Sequence, residues 1–296
     1  MSTRVKSWLL AIRPRTLPAS ASPVLVGTAA AAADHTMRIF PALAALLGAV
    51  LLQIGVNLAN DYFDYLKGVD TAERLGPVRV TQSGLIPPSG VLKGMILTFF
   101  LAVVAGIYLV YEAGWIVVLI GSASILAALL YSGGPFPFAS HGLGDLFVFI
   151  FFGPVAVCGT YFVQSLSVSI ACALLSVPLG LMIASILVVN NLRDIPTDRK
   201  VGKRTLAVIL GARGARVEFA VLLILSYAAP VLMVSFGVLH FGALLPLLSV
   251  PRAVRLARSL QVLSGATLNE PLAESAKLTL CFSLLLSLGL IAPVIR

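Results

Sequence analysis

Residues 39–70 read IFPALAALLGAVLLQIGVNLANDYFDYLKGVD, an apolar run that ends in a cluster of polar and acidic side chains. A helix needs about 20 apolar residues to cross a hydrocarbon core that is ~30 Å thick, and residues 39–59 provide that length. The acids follow at once, where such a helix would meet the aqueous phase. This stretch therefore predicts a membrane-spanning helix that carries polar chemistry at one end.

The rest of the chain repeats this pattern. The sequence is 59% hydrophobic and 11% charged, whereas soluble domains carry about 25% charged residues. We therefore predict an all-α, polytopic membrane protein with nine transmembrane helices. The predicted helices lie at residues 17–33, 39–59, 93–111, 115–132, 144–164, 169–191, 216–235, 238–256 and 277–294.

The net charge of +9 is distributed unevenly along the chain. Every lysine and arginine except Arg38 and Arg296 lies before the first run or near the connections that follow runs two, six and eight. Because cytoplasmic connections are enriched in lysine and arginine, we predict a cytoplasmic N-terminus and an external C-terminus in a bacterial cytoplasmic membrane. The basic surplus then suits membrane lipid and phosphate-bearing substrates, and no nucleic-acid partner is expected.

The first acidic cluster lies at the end of the second run. If the helix continues past residue 59, then Asn57, Asp61 and Asp64 stand at positions i, i+4 and i+7 and share one face. Asn60 lies beside them. Acids inside or at the edge of a membrane are costly and usually functional, so this face is a candidate site.

The second acidic cluster reads NNLRDIPTDRKVGKR and begins at Asn190. Asn190, Asp194 and Asp198 stand at i, i+4 and i+8 and again share one face. Pro196 is expected to distort this turn, because its ring clashes with the preceding turn of a helix.

Carboxylate and amide oxygens suit a hard divalent cation, and Mg²⁺ is usually held by a few carboxylates together with phosphate oxygens and water. The predicted metal ligands are Asp61, Asp64, Asp194 and Asp198. The supporting amides are Asn57, Asn60, Asn190 and Asn191. Arg193, Lys203 and Arg204 are predicted to bind phosphate oxygens. The alternative is that these acids only solvate helix ends, and two similar clusters make that alternative less favourable.

The two clusters lie at the ends of runs two and six, four runs apart. Such spacing is typical of a duplicated unit in membrane proteins. We therefore predict a single domain over residues 1–296, with repeat halves of four helices at about 17–132 and 144–256 and a ninth helix after them. The equivalent helix ends would then face each other across a central cavity.

Several segments carry a resemblance to a known family. They are IRPRTLP at 12–18, the first cluster through residue 70, LGPVRVTQSG at 75–84, YSGGP at 131–135, GLGD at 142–145, FFGP at 151–154 and the second cluster through residue 208. In these segments the chain resembles the UbiA superfamily of intramembrane aromatic prenyltransferases, and within it the branch that acts on 1,4-dihydroxy-2-naphthoate. The resemblance implies a Mg²⁺-dependent transfer of a polyprenyl group from a prenyl diphosphate to the naphthoate, with decarboxylation, in menaquinone biosynthesis.

The resemblance also implies roles for further residues. Arg79, Gln82 and Tyr131 would bind substrate, while Lys203 and Arg204 would act catalytically on the leaving diphosphate. His141 and Asp145 are, beside Tyr131, further candidates for contact with the aromatic acceptor.

One position departs from the general superfamily motif. Gly68 stands where a third aspartate is usual, and Asp70 follows two positions later, as in the naphthoate branch. Gly68 is also expected to end the helix, so that the chain turns and brings Asp70 back as a further metal ligand or a catalytic base.

Two alternatives remain open from the sequence, and a third lacks its signature. The same fold and chemistry would serve another aromatic acceptor, such as 4-hydroxybenzoate, homogentisate or a porphyrin. A cation or phosphate-compound transporter would also combine repeats with intramembrane acids, although these acids lie at one face rather than at the mid-plane. A phosphatidyltransferase of the CDP-alcohol type would need a compact Asp-Gly-x-x-Ala-Arg signature, which the sequence lacks. Prenyl chain length and oligomeric state stay open.

Overall fold

The computed structural model describes residues 3–69 and 74–292, and within them the chain forms helices and no strand. Short turns and 3-10 segments join the helices. The α-helices, numbered along the chain, are α1 Thr3–Ile12, α2 Leu17–Ala33, α3 Ile39–Leu66, α4 Pro88–Ala113, α5 Ile116–Ser132, α6 Gly144–Ser165, α7 Ile170–Lys200, α8 Leu206–Ser235, α9 Val250–Val262 and α10 Asn269–Ile291. α6 includes a π-helical stretch, Phe151–Cys158, around Pro154.

Seven segments of the described chain are long and apolar enough to cross a membrane, so this is an integral membrane protein. They are Thr3–Ala33, Ile39–Leu66, Pro88–Ala113, Gly144–Ser165, Ile170–Lys200, Leu206–Ser235 and Gly265–Ile291. α5 is apolar but has only 17 residues. The prediction of an all-α polytopic membrane protein is confirmed, whereas the count of nine spans is not confirmed.

The eighth predicted span, 238–256, is not one continuous helix. It consists of a 3-10 segment, Phe241–Ser249, followed by α9. α9 buries Ala253, Leu256 and Leu260 on one side, and its three arginines lie on the more accessible side. This separation of apolar and basic residues is typical of an amphipathic helix, which a simple count of apolar residues does not distinguish from a span.

The sequence predicts that Gly68 ends the helix of the first cluster and that Pro196 distorts a turn of the second. α3 ends at Leu66, and Gly68 follows with a φ of +63°, the left-handed conformation in which glycine is favoured. The predicted helix stop is therefore confirmed. Pro196, by contrast, does not end α7, which continues through it to Lys200.

Hydroxyl caps mark the start of two long helices. Ser169 Oγ accepts a hydrogen bond from the Cys172 amide at 3.2 Å, and Thr205 Oγ1 accepts one from the Val208 amide at 3.2 Å. Each cap satisfies an amide that has no partner inside the first turn. The cap at Thr205 also ends the short connection that carries Lys203, and so limits where that lysine can lie.

The most buried core belongs to α7 and α10, where Leu179, Met182 and Phe282 are fully enclosed. α10 packs against α2, α7 and the 3-10 segment before α9. At the last of these contacts, a Cβ on either Gly242 or Gly289 would overlap the backbone of the other. Such close approach of small residues is a common way of packing helices in membranes, and it holds α10 against the bundle.

Candidate active site

A cavity of about 1170 Å³ lies among the helices. Its apolar part is enclosed by α3, α4, α5 and α6, and its polar end lies where α3 and α7 terminate. The polar end is lined by Asn57, Asn60, Asp64, Arg74, Arg79, Asn190, Asn191, Asp194, Asp198, Lys203 and Asn269. The structure thus brings residues of both predicted acidic clusters to the wall of the same cavity.

Asp64 is the point at which the two clusters touch. Its Oδ2 lies 3.4 Å from Nζ of Lys203, a residue of the second cluster, and 3.2 Å from Arg79 Nη2. The side chains of Asp64 and Arg79 are each only 7% exposed. Two cations at one buried carboxylate form a basic patch on the cavity wall, where a phosphate group would be attracted.

Asp194 is held by the residue before it. Arg193 donates from Nε to Asp194 Oδ1 at 2.8 Å and from Nη2 to Oδ2 at 2.6 Å. Arg193 also donates to the side-chain oxygens of Asn190 and Asn269, both at 2.9 Å, and the Asn269 amide donates to the carbonyl of Leu75 at 2.9 Å. This network ties α7, the start of α10 and the connection between α3 and α4.

The sequence predicts that Arg193 binds phosphate oxygens, and the structure shows where its side chain lies. Its side chain is 0% exposed and does not line the cavity. All three guanidinium nitrogens donate to protein acceptors in this structure, and two of them hold the carboxylate of Asp194. The role of Arg193 as a phosphate ligand stays a prediction, and its contacts position Asp194.

Asp61 also differs from its neighbours. Its Oδ2 and Oδ1 accept hydrogen bonds from the amides of Val80 (3.2 Å) and Thr81 (3.0 Å), and the residue is 1% exposed. It does not line the cavity. The carboxylate of Asp61 therefore anchors the connection after α3, the same connection that places Arg79 beside Asp64.

The asparagines of the first cluster are engaged with neighbouring segments. Asn57 donates from Nδ2 to the Ile12 carbonyl at 2.8 Å and to Thr16 Oγ1 at 3.0 Å. Asn60 Oδ1 accepts a hydrogen bond from the hydroxyl of Ser132. Both asparagines line the cavity, and their hydrogen bonds hold α3 against the neighbouring segments there.

Lys67 joins the ends of α3 and α5. Its Nζ donates to the carbonyls of Ser132 at 2.6 Å and Gly134 at 3.2 Å. Partial burial lowers the pKa of Lys67; the charge of Lys203 lowers it further, and that of Asp64 opposes the shift. The sequence did not single out this lysine, because its partners are backbone carbonyls from a different helix.

The other predicted residues divide by whether they reach the cavity. Tyr131 lines the cavity, whereas Gln82 and Arg204 are exposed and are not on its wall. His141 Nδ1 lies 2.8 Å from the Pro137 carbonyl oxygen, which can only accept a hydrogen bond from it, and the ring is stacked on a phenylalanine. Asp145 is buried, its carboxylate oxygens have no hydrogen-bond partner among the described residues, and it does not line the cavity.

Asn269 is the main residue that sequence reasoning missed. It lines the cavity and completes the network around Arg193. After residue 211 only hydropathy guided the prediction, and hydropathy placed the last helix at 277–294. An asparagine just ahead of an apolar run is a common helix-start signal, and it would have drawn attention to this position.

The carboxylates at the polar end suit a magnesium ion that takes its remaining ligands from a bound substrate and from water. Within residues 3–69 and 74–292, no three His, Cys, Asp or Glu side chains are grouped so that they could hold a metal by themselves. Mg²⁺ usually needs only one or two carboxylates, with substrate phosphates and water supplying the rest. Asp64, Asp194 and Asp198 present carboxylates to the same cavity. Asp70 lies outside the described residues.

Comparisons with known proteins point to one family. The sequence profile of the UbiA prenyltransferase family matches residues 20–281. A 1,4-dihydroxy-2-naphthoate octaprenyltransferase of Mycobacterium tuberculosis is 45% identical over 217 residues, which are 73% of this chain and 74% of that protein. The protein of the same name from Escherichia coli is 36% identical over 297 residues, covering 97% of this chain and 96% of its own. A UbiA homolog from Archaeoglobus fulgidus, bound to GPP and Mg²⁺, has the same fold, with a TM-score of 0.62, 14% identity and coverage of 95% of this chain and 99% of that one.

Proposed function

This chain belongs to the UbiA prenyltransferase family, and on that premise we propose that it prenylates 1,4-dihydroxy-2-naphthoate. The donor is a polyprenyl diphosphate, the naphthoate loses its carboxylate, and the product is demethylmenaquinone. The names of the relatives from Mycobacterium tuberculosis and Escherichia coli support this substrate pair.

The observation that carries the proposal is the contact of Asp64 with Lys203 at the polar end of an apolar cavity. A prenyl diphosphate has the same division into a charged head and an apolar tail. The tail prefers hydrocarbon by roughly 0.8 kcal/mol for each buried CH₂ group. A site with a charged end and an apolar body therefore matches both parts of the donor.

The residues at the polar end would hold the diphosphate in two ways, through a metal ion and through basic side chains. Asp64, Asp194 and Asp198 would hold Mg²⁺ together with the donor's phosphate oxygens. Bound Mg²⁺ supplies positive charge against the leaving diphosphate. Lys203 and Arg79 add fixed positive charge at the same place, and such charge is most effective in a site from which water is excluded.

The acceptor side rests on fewer residues. Tyr131 lines the cavity, and we assign it to contact with the aromatic ring. Asp70 stays a candidate for a base at the acceptor hydroxyl or for a further metal ligand. Arg204 and Gln82 would need to turn inward from the surface to act on substrate.

The proposal includes a topology. If α5 and the combined segment Phe241–Val262 also cross the membrane, the seven long spans become nine, and the chain can be divided into two four-helix units and a final helix. The polar end of the cavity then faces the cytoplasm, as do the N-terminus and most basic residues, in a bacterial cytoplasmic membrane. Single cysteines introduced into a cysteine-free background, labelled from either side of sealed vesicles, would test this orientation.

The proposal is tested with purified protein, Mg²⁺ and a labelled prenyl diphosphate. 1,4-Dihydroxy-2-naphthoate and 4-hydroxybenzoate are offered in parallel, with EDTA as the control. We expect an EDTA-sensitive prenylated naphthoquinone and release of carbon dioxide. Product from 4-hydroxybenzoate alone would retain the chemistry and overturn the acceptor. Absence of product from both would overturn the proposed reaction.

A further inference from the structure

Three glycines on successive helices line the apolar part of the cavity: Gly48 on α3, Gly106 on α4 and Gly121 on α5. Glycine is a poor helix former, so a glycine inside a long helix requires an explanation. Elsewhere in this bundle the explanation is close packing. A Cβ at Gly27, for example, would lie 2.6 Å from the carbonyl oxygen of Val157.

Close packing does not account for the three cavity glycines. Apart from adjoining residues of the same helix, no heavy atom of the described residues lies within 4 Å of the position that a Cβ would take at Gly48, Gly106 or Gly121. Since all three glycines line the cavity, the open space beside each one is part of the cavity or of its open side. A larger side chain at any of these positions would extend into that space without first meeting another part of the protein.

The glycines lie far from the polar end. Gly48 precedes Asp64 by 16 positions on α3, which is about 24 Å along a helix at ~1.5 Å per residue. Leu52 and Val56 line the same face between them. The cavity therefore follows α3 for most of its length, and only the distal part of a long apolar ligand would reach Gly48.

One side of this region faces the bilayer. Val103 and Ile107 of α4 line the cavity and are 46% and 63% exposed. A tail lying here would contact the helices on one side and lipid on the other. At the glycines no side chain would stand between the tail and the helix backbone.

We propose that Gly48, Gly106 and Gly121 form the binding site for the distal part of the donor's tail, and that their missing side chains allow the protein to accept long prenyl diphosphates. The inference rests on the proposed function, because it takes a prenyl diphosphate as the donor. It concerns binding alone and adds no chemical step.

The test compares a short donor with a long one. Gly48→Leu, Gly106→Leu and Gly121→Leu are assayed with geranyl diphosphate and with octaprenyl diphosphate, in the presence of Mg²⁺ and the naphthoate. Ala123→Leu is the matched control, since Ala123 is exposed on α5 and does not line the cavity. For the glycine variants we expect kcat/KM with the long donor to fall by about ten- to a hundredfold, because the added side chain would occupy the space that the distal part of the tail would fill. Activity with geranyl diphosphate serves as the internal check of folding and should stay near wild type.

Two outcomes would overturn the inference: an equal fall with both donors, or unchanged activity with the long donor. A binding measurement separates this result from a failure of the proposed function. Thermal stabilisation of the protein in nanodiscs by each donor is measured without acceptor. Even if the wild type transferred nothing to the naphthoate, selective loss of stabilisation by octaprenyl diphosphate in the glycine variants would support the tail site. Equal stabilisation of wild type and variants would refute it.

Discussion

Lys203 Nζ lies 3.4 Å from Asp64 Oδ2, although the two residues are 139 positions apart in the chain. Asp64 is near the end of α3, and Lys203 lies in the connection between α7 and α8. The contact joins the two acidic clusters at one end of the cavity. It also balances the charge of a carboxylate that is almost completely buried. Charged side chains within membrane proteins are almost always paired in this way.

Removal of the charge of Lys203 should impair catalysis more than folding. We expect Lys203→Ala to lower kcat by about 10²–10³-fold, the usual effect of losing a group that stabilises developing charge. Lys203→Arg should recover part of this loss because it keeps the charge. The measurement is steady-state prenyl transfer at saturating Mg²⁺.

Lys277→Ala is the control for that experiment, because Lys277 is 64% exposed and pairs with Glu274 on the surface. It should behave like the wild type. If Lys203→Ala kept full activity, Lys203 would not stabilise the leaving diphosphate.

Asp61 and Asp64 should respond differently to the same substitution. Asp64→Asn is expected to raise the Mg²⁺ concentration for half-maximal activity by roughly tenfold or more, which is a loss of ~1.4 kcal/mol or more of metal affinity. Asp61→Asn should leave this concentration unchanged. Because asparagine keeps only one of the two acceptor oxygens, it should instead loosen the connection after α3 at a cost of about 1–3 kcal/mol.

Hydrogen–deuterium exchange of residues 74–86 reports that loosening directly. Faster exchange in Asp61→Asn with an unchanged Mg²⁺ requirement would match the hydrogen bonds to Val80 and Thr81. If both variants raised the Mg²⁺ requirement equally, Asp61 would be a metal ligand, as the sequence predicts.

Arg193 should matter for stability. Arg193→Met removes the partner of Asp194 inside the bundle, and an uncompensated buried charge costs about 3–5 kcal/mol. Chemical denaturation in detergent measures the loss. Arg255→Met on the exposed side of α9 should change stability by no more than about 0.5 kcal/mol, and a similar small effect at Arg193 would contradict its place in the network.

Gly289 and Gly106 should respond in opposite directions to alanine. Gly289→Ala forces a Cβ into the backbone of Gly242 and should destabilise the protein by about 1–3 kcal/mol. Gly106→Ala meets open space and should be neutral, or stabilising by up to about 1 kcal/mol, because alanine is the better helix former. Denaturation midpoints of the two variants provide the comparison, and equal shifts would refute the close contact.

The sequence alone predicts the properties that depend on residues close together in the chain, such as where a helix lies, where it ends and which side chains share a face. The apolar run 17–33 corresponds to α2, and the stop at Gly68 lies where the glycine indicated, because hydropathy, helix periodicity and glycine's tolerance of positive φ are local effects. The same periodicity placed Asn190, Asp194 and Asp198 on one face, and all three line the cavity. The class of protein and the nature of its polar site were therefore available from composition and spacing.

Only the tertiary structure decided which member of each cluster faces the cavity. Asp61 turns to the amides of Val80 and Thr81, and Arg193 turns to Asn269, which in turn holds the carbonyl of Leu75 from 194 positions away. The direction of a charged side chain depends on how its helix is rotated in the bundle and on which distant donors or acceptors lie there to satisfy it. Those partners come together only when the helices pack, so no local pattern in the sequence specifies them.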